Sequence, residues 1–532
     1  MSKLMAASNS NLVDYSFLFL IWIVSNLMVR FLIKTCTNSR ATVRNPPTPL
    51  ALPILGHLHL LSKKLPESFE SLARCYGPLM QIRVGGTTFV VASTAAVAKD
   101  MLKTHDSEFA SRCEFGPTEY NIYSGAGFIT GPNGSYWRFM KKLCMTKLFA
   151  GPQLDRFNHI REQENTNLLK SLLKRSREEE ACDLSTELTT LTNNLICRMA
   201  LSKRCSDNAT GAKEVRTLVL EITGLGAKLG VYEVFGPLKK LDIFGNGKKL
   251  VEGLWRYDRF MEQIMKDYED DMVGGEGKEG ADLMSIVLEA YKDTNAEVKL
   301  TRKQIKFFFK ELFMASIDTL SAAIQWTMAE LINHPQVFKK LREEIHTVVG
   351  SSRLVKESDV PNLPYLQAIV KESLRLHPPP LIHRESTKDC KINGFDIKAK
   401  TKMVINAYAI MRDPDYWNDP GEFVPERFLV NSNDNLRSQH RMEIKDPDFN
   451  YLPFGGGRRG CFGATHALLV THVTVGALTQ CFDWKVKDGE KIDVHVGSGF
   501  SGPMELPLVC YPITRFDPFE AKATMKFPSN GS

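Results

Sequence analysis

The chain has no CxxC pair, no zinc-type cysteine–histidine spacing, no internal repeat and no low-complexity tract. Its eleven cysteines, at 36, 75, 113, 144, 182, 197, 205, 390, 461, 481 and 510, are scattered and odd in number. That argues against a disulfide framework or a structural zinc module and predicts free thiols in a reduced compartment. Neither sign of charge dominates: 68 basic against 61 acidic side chains leave only +7. No basic stripe is interleaved with aromatics, so no nucleic-acid partner is expected. What the chain does have is apolar mass. It runs to 532 residues, 43% of them hydrophobic, enough for two lobes or one unusually large domain.

One apolar run stands apart. Tyr15 to Val29 carries almost no polar group and continues past Arg30 through Phe31, Leu32 and Ile33, about the length of one membrane-spanning helix. Positive charge follows it at Arg30, Lys34, Arg40 and Arg44, against Lys3 and Asp14 before it. This asymmetry predicts a single-pass anchor over 1–34 with the remaining chain in the cytosol. A cleaved signal peptide would want basic residues ahead of the run and a small-residue cleavage site after it, and neither is clear. The glycosylation sequons at Asn133 and Asn208 would then face the wrong compartment. Asn45-Pro46-Pro47-Thr48-Pro49, with Pro53 and Gly56 beyond, predicts a stiff hinge over 35–57. The globular body is 58–532. In it, Leu79 to Val91 predicts a β-hairpin around Gly85-Gly86. Helical patterns dominate from about 95 to 345, broken by a polar loop at 274–280. Asn393 to Asn406 alternates like strand, and 431–450 is a polar connection. The expected class is mainly α with small β-sheets at one side.

Chemistry concentrates in Phe454-Gly455-Gly456-Gly457-Arg458-Arg459-Gly460-Cys461-Phe462-Gly463. One cysteine lies past a glycine-rich turn at the start of an apolar helical run, Ala464 to Phe482. A helix N-terminus favours a thiolate, and the glycines let the backbone lie close to a flat ligand. Arg459 is placed to reach an anionic group on it. Such a cysteinate suits the proximal ligand of haem iron, where electron donation favours O–O cleavage. The plainer alternative is a buried structural cysteine. The spaced set Phe454, Gly457, Arg459, Cys461, Gly463 would arise by chance only about once in ten thousand chains of this length.

A second constellation lies in a long predicted helix. It opens on a Thr301/Gln304 capping box and runs to about Asn333 before His334-Pro335. It contains Ala315-Ser316-Ile317-Asp318-Thr319. An acid beside an alcohol in an apolar helix is costly unless used or satisfied; one reading is a threonine bonding back to its own helix with Asp318 in a salt bridge. A third pairs Glu372 with Arg375 on one helix face that ends at His377 before three prolines. Pro425-Glu426-Arg427-Phe428 follows.

In this order the motifs resemble the cytochrome P-450 family over essentially the whole chain, and most of all its plant microsomal members. The resemblance implies a P-450 fold carrying haem b, with Cys461 as the axial ligand of the iron. Phe454, Arg459, Trp137, Lys141 and Arg384 would bind the cofactor, the cations among them at its propionates. Thr319, Asp318 and Ser316 match the oxygen-activation motif, the hydroxyl steadying dioxygen and the acid helping deliver protons. Glu372, Arg375 and Arg427 match a triad that holds the haem-loop region. Electrons would come from NADPH through NADPH–cytochrome P-450 reductase, docking on a basic face that includes Lys142 and Lys147. The site would be the endoplasmic reticulum membrane. Departures are Thr48, Ser316 and Phe462, where glycine, glycine and proline are usual, and Leu320, where a small hydroxyl residue is common. Ser316 and Leu320 bear on how well electrons couple to product.

By family position the substrate pocket is lined by Phe115, Tyr120, Tyr123, Phe128, Leu312, Ala315, Leu381, Ile382 and Phe500. This mostly apolar set expects a small hydrophobic substrate. The stretches 111–120, 136–147, 355–367 and 406–414 resemble plant flavonoid- and triterpenoid-oxidising members. The expected activity is oxidation of a pentacyclic triterpenoid, friedelin- or amyrin-like, with repeated turnover able to carry a methyl group to the acid. A flavonoid is the alternative. A reductase-independent rearranging P-450 would commonly lack the Asp318-Thr319 pair, and a non-catalytic haem scaffold would show a damaged loop or triad.

Overall fold

The computed structural model describes residues 44–520 except 113–119, 205–211, 232–241, 243, 274–281, 380, 430–445, 490 and 498–501, together with residues 21, 22, 25 and 28. Among the described residues no helix is long and apolar enough to cross a membrane. The expected anchor lies almost wholly outside them, as do Phe115, Phe500, Asn208 and the 274–280 loop.

The hairpin forms where expected. Strands β1 (Leu79–Val84) and β2 (Thr87–Ala92) are antiparallel. Gly85 takes φ +57° in their two-residue turn, a left-handed conformation that glycine adopts without strain. Alternation sends Met80, Ile82 and Val91 to one side against Phe69 of helix α1 (Leu65–Tyr76), and Leu79, Val90 and Ala92 to the other. After the two-residue strand β3 (Cys182–Asp183) come β4 (Leu381–Glu385), β5 (Cys390–Ile392), β6 (Phe395–Ile397) and β7 (Lys402–Asn406). The main sheet has the order β1-β2-β7-β4. Two smaller sheets are β5-β6 and β3-β9-β8, with β8 at Phe482–Lys485 and β9 at Val509–Thr514.

The larger core is helical. Its elements are α2 (Ser135–Leu143), α3 (Asn158–Arg177), α4 (Leu184–Leu201), α5 (Asn246–Val273), α6 (Arg302–Asn333), α7 (Pro364–Leu376) and α8 (Ala464–Cys481). Helix α6 opens on the expected box: Thr301 N–H donates to Gln304 Oε1 at 2.9 Å and Gln304 N–H to Thr301 Oγ1 at 3.2 Å. It stops ahead of Pro335, which disfavours helical geometry at His334. Helix α6 is buried against α4, α7 and α8, and Trp326 within it is 1% exposed. Seven described cysteines are free thiols. Cys197 is disulfide-bonded, which corrects the expectation of a free thiol at that position.

Candidate active site

Helix α6 is buried over most of Ile305–Phe313 and Leu320–Leu331 but not between them. Met314, Ala315, Ser316, Asp318 and Thr319 are half-exposed between buried Phe313 and Leu320. The α8 side has a matching gap, where Cys461 is exposed and Phe462, Gly463 and Ala464 are half-exposed. Helices α6 and α8 pack on one another, and the half-exposed side chains on both segments suit a cleft between them.

The turn leading to Cys461 is shaped by glycine. Gly455 and Gly457 both take φ +65°, and a Cβ on Gly457 would lie 2.4 Å from Asp106 Oδ1 and 2.7 Å from Leu102 O. Asp106 also accepts from Arg458 N–H at 3.0 Å, which fastens the turn. Gly457→Ala is therefore expected to destabilise the protein by about 1–3 kcal/mol through strain and overlap, read as a lower urea midpoint and faster haem loss.

Cys461 N–H donates to Phe454 O at 3.0 Å. Its thiol lies just ahead of the α8 N-cap, Gly463. Burial pushes the thiol above its ordinary pKa, while the Gly463 N–H, Lys141 and Arg112 pull the other way. The expected thiolate is thus not supplied by the helix terminus, because desolvation outweighs it. A metal ion deprotonates a coordinating thiol outright.

Several cations stand around this cysteine. Arg384 is fully buried and donates to Gly456 O at 3.2 Å and to His383 O at 2.8 Å. Burial, then Arg112 and Arg459, hold its pKa well below the ordinary guanidinium value against the pull of Asp106. Arg459 lies 4.3 Å above the ring of buried Trp137. Burial and Arg112 push its pKa down to about 9, with Glu311 acting oppositely. Its N–H groups go to the backbone carbonyls of Ala110 (2.5 Å), Phe128 (3.1 Å) and Gly131 (2.7 Å). Lys141 donates to Gly460 O at 3.0 Å and lies 5.9 Å from the Phe462 ring centroid. Two buried guanidiniums, Arg384 and Arg459, with half-exposed Arg112 near both, suit a ligand bearing two negative groups, and the two propionates of haem fit that chemistry. Cys461 would hold its iron, and Arg384, Arg459, Arg112, Trp137 and Lys141 its edge. Arg112 was not singled out from sequence; a lone arginine beside Ser111 carries no signal until the fold sets it near Arg384.

On the α6 side, Thr319 Oγ1 donates to Ala315 O at 2.6 Å and Ser316 Oγ to Leu312 O. The back-bonded reading of the hydroxyls therefore describes this state. Thr192 of α4 adds a bond to Ile317 O at 3.2 Å. Glu372 and Arg375 are fully buried and doubly bonded, at 2.7 and 2.8 Å. Arg427 Nε reaches Glu372 Oε1 at 3.1 Å, as does Val424 N–H at 3.0 Å. Arg375 also donates to the carbonyls of Met411, Pro420 and Glu422, so the three residues pin the segment that precedes the haem loop.

The expected pocket residues divide. Ala315, Leu381 and Ile382 are half-buried, and Ile382 Cδ1 is 3.9 Å from where a Cβ on Gly455 would lie. Leu312 and Phe128 are buried, the latter 5.5 Å from Phe462 by ring centroid. Tyr123 does not offer its hydroxyl to a ligand: it is 1% exposed, stacked 5.0 Å from Phe307, and donates to Asp258 of α5 at 2.7 Å. Tyr120 packs so closely on Gly247 that a Cβ there would lie 2.6 Å from its ring.

An accessible cysteine at the end of a glycine-shaped turn, with Lys141 and Arg112 near its thiol, has the chemistry that a haem-thiolate site needs. Residues 46–510 match the family Cytochrome P450, and the chain belongs to it. Relatives include 3,9-dihydroxypterocarpan 6A-monooxygenase from Glycine max, 41% identical over 89% of this chain and 94% of its own. Cytochrome P450 705A5 from Arabidopsis thaliana is 41% identical, covering 93% and 96%. Beta-amyrin 24-hydroxylase from Glycine max is 39% identical, covering 95% and 99%. The chain is thus a plant-type cytochrome P450 monooxygenase with haem b as cofactor, a reductase passing it electrons from NADPH, and a small hydrophobic substrate.

Proposed function

We propose that this monooxygenase oxidises a pentacyclic triterpenoid of friedelin or amyrin type, at a methyl group that repeated turnover can take to the acid. The reading rests chiefly on the near full-length likeness to a protein named beta-amyrin 24-hydroxylase. It agrees with the apolar character of Phe128, Leu312, Ala315, Leu381 and Ile382, which suits a large rigid hydrocarbon. A flavonoid is the second reading, favoured by the likeness to a pterocarpan monooxygenase.

Haem, when bound through Cys461, supplies activation of dioxygen and insertion of one oxygen atom into a C–H bond. The chain does the rest. Thr319, by donating its proton to Ala315 O, turns its oxygen lone pairs outward as an acceptor. To donate, its hydroxyl must rotate off that carbonyl. Asp318, half-exposed beside it, is the group placed to relay protons from solvent. Ser316 is small enough to leave room at the same turn. Glu372, Arg375 and Arg427 hold the haem-loop region and take no part in bond-making. The anchor over 1–34 would hold the enzyme on the endoplasmic reticulum membrane with the catalytic body in the cytosol. Exposed Lys142 and Lys147 would offer a basic docking face to an acidic reductase.

The test is product formation by microsomes containing the protein, a plant reductase and NADPH, fed pentacyclic triterpenes beside flavanones, with Cys461→Ala microsomes as control. Oxygenated triterpene from the intact enzyme alone is the expected result. Turnover of flavanone instead would overturn the substrate reading and leave the chemistry in place.

A further inference from the structure

Gly127-Phe128-Ile129-Thr130-Gly131 folds back so tightly that a Cβ on Gly131 would lie 2.0 Å from Gly127 O. The turn aims consecutive N–H groups at one point, the kind of backbone concavity that binds anions. Its anion comes from the chain itself. Glu311 of α6, fully buried, accepts from Phe128 N–H (2.8 Å), Ile129 N–H (2.9 Å), Thr130 N–H (2.9 Å) and Thr130 Oγ1 (2.6 Å). On its carbonyl side the turn is held by Arg459, through Phe128 O and Gly131 O. One segment is thus gripped by α6 and by the haem loop at once. Phe128, second in the turn, lies 5.8 Å from Phe308 and 5.5 Å from Phe462 by ring centroid. Glu311 lies one helical turn before Ala315, where α6 opens to the cleft.

We propose that Glu311 is a positioning residue which sets the shape of the substrate cavity by clamping the 127–131 turn and so fixing the Phe128 ring. This rests on reading that turn as a wall of the cavity. Glu311 touches no reacting atom; it acts through Phe128. A residue that merely stabilised the fold would leave ligand selectivity alone. The clamp instead discriminates ligands that reach the wall from ligands that reach only the iron.

The experiment titrates haem-loaded wild type, Glu311→Gln, Thr130→Val and Phe128→Ala with imidazole and with phenylimidazole, reading the absorbance difference spectrum. Glu311→Gln removes a charged acceptor of four donors, and Thr130→Val removes one hydroxyl bond. Glu311→Gln and Phe128→Ala are expected to weaken phenylimidazole about tenfold, Thr130→Val about threefold, with imidazole within about twofold throughout. Wild-type phenylimidazole binding in Glu311→Gln, with loss in Phe128→Ala, would overturn the clamp and keep the wall. No loss in Phe128→Ala would overturn both. Equal weakening of both ligands by Glu311→Gln would mark general loosening of the haem site and also overturn the proposal. If Glu311→Gln fails to retain haem, Thr130→Val decides by the same comparison.

Discussion

Cys461→Ala is expected to abolish the thiolate-type carbon monoxide spectrum and all detectable NADPH-dependent turnover while leaving the fold in place. The loop around Cys461 is held by groups other than its sulfur: Cys461 N–H on Phe454 O, Gly460 N–H on Gly457 O, and Lys141 on Gly460 O. The side chain itself is open to a molecule the size of water, although the surrounding protein still desolvates the thiol. Truncating it leaves no core cavity, and the change in stability of the cofactor-free protein should stay within about 0.5 kcal/mol. Chemistry and folding are thereby separated: circular dichroism and the urea midpoint stay near wild type, while the spectrum disappears. A normal thiolate spectrum in this variant would mean that another cysteine holds the iron.

Glu372→Ala should do the opposite and strike the fold first. Glu372 is the acid common to Arg375 and Arg427, and it also receives Val424 N–H. Removing it leaves the fully buried Arg375 guanidinium with no carboxylate among the described residues, held by three carbonyls and the Trp417 ring. Breaking a buried ion pair on one side costs about 3–5 kcal/mol, against a total stability of about 5–15 kcal/mol. Low yield, a sharply reduced urea midpoint and little bound haem are expected, despite an untouched Cys461. The double variant Glu372→Met with Arg375→Met leaves no unpaired charge on α7 and should recover part of the loss. A wild-type midpoint in Glu372→Ala would sink the argument.

Where local chemistry decides structure, the chain was readable. The hairpin around Gly85-Gly86, the Thr301/Gln304 box and the stop before Pro335 all depend on residues within a few positions of one another. The glycine-shaped turn before Cys461 was readable for the same reason, since Gly455 and Gly457, both at φ +65°, lie within a few residues of it. Arg112 was not, because its meaning comes from lying near Arg384, 272 positions along the chain. Glu311 left a trace that went unused: an acid inside Phe307-Phe308-Phe309-Lys310-Glu311-Leu312-Phe313 is out of place on an apolar helix unless satisfied. Tyr123 misled in the other direction. An aromatic near the expected pocket is indistinguishable in sequence from one whose hydroxyl is taken by Asp258. The thiol of Cys461 shows a further limit, since the helix terminus is legible and the desolvation that outweighs it is not.

The crowd of guanidiniums at the centre has a consequence for the life of the protein in the cell. Burial disfavours the charges of Arg384 and Arg459, and Arg112 adds to it at both, so a dianionic ligand that pairs them offsets a cost the cofactor-free chain bears. A ligand that binds only the folded state deepens that state by mass action. Haem is then an assembly factor as well as a reagent, and its supply governs how much of the polypeptide survives surveillance. In haem-starved tissue the chain is expected to be translated and then destroyed, so that enzyme abundance follows porphyrin synthesis more closely than messenger level.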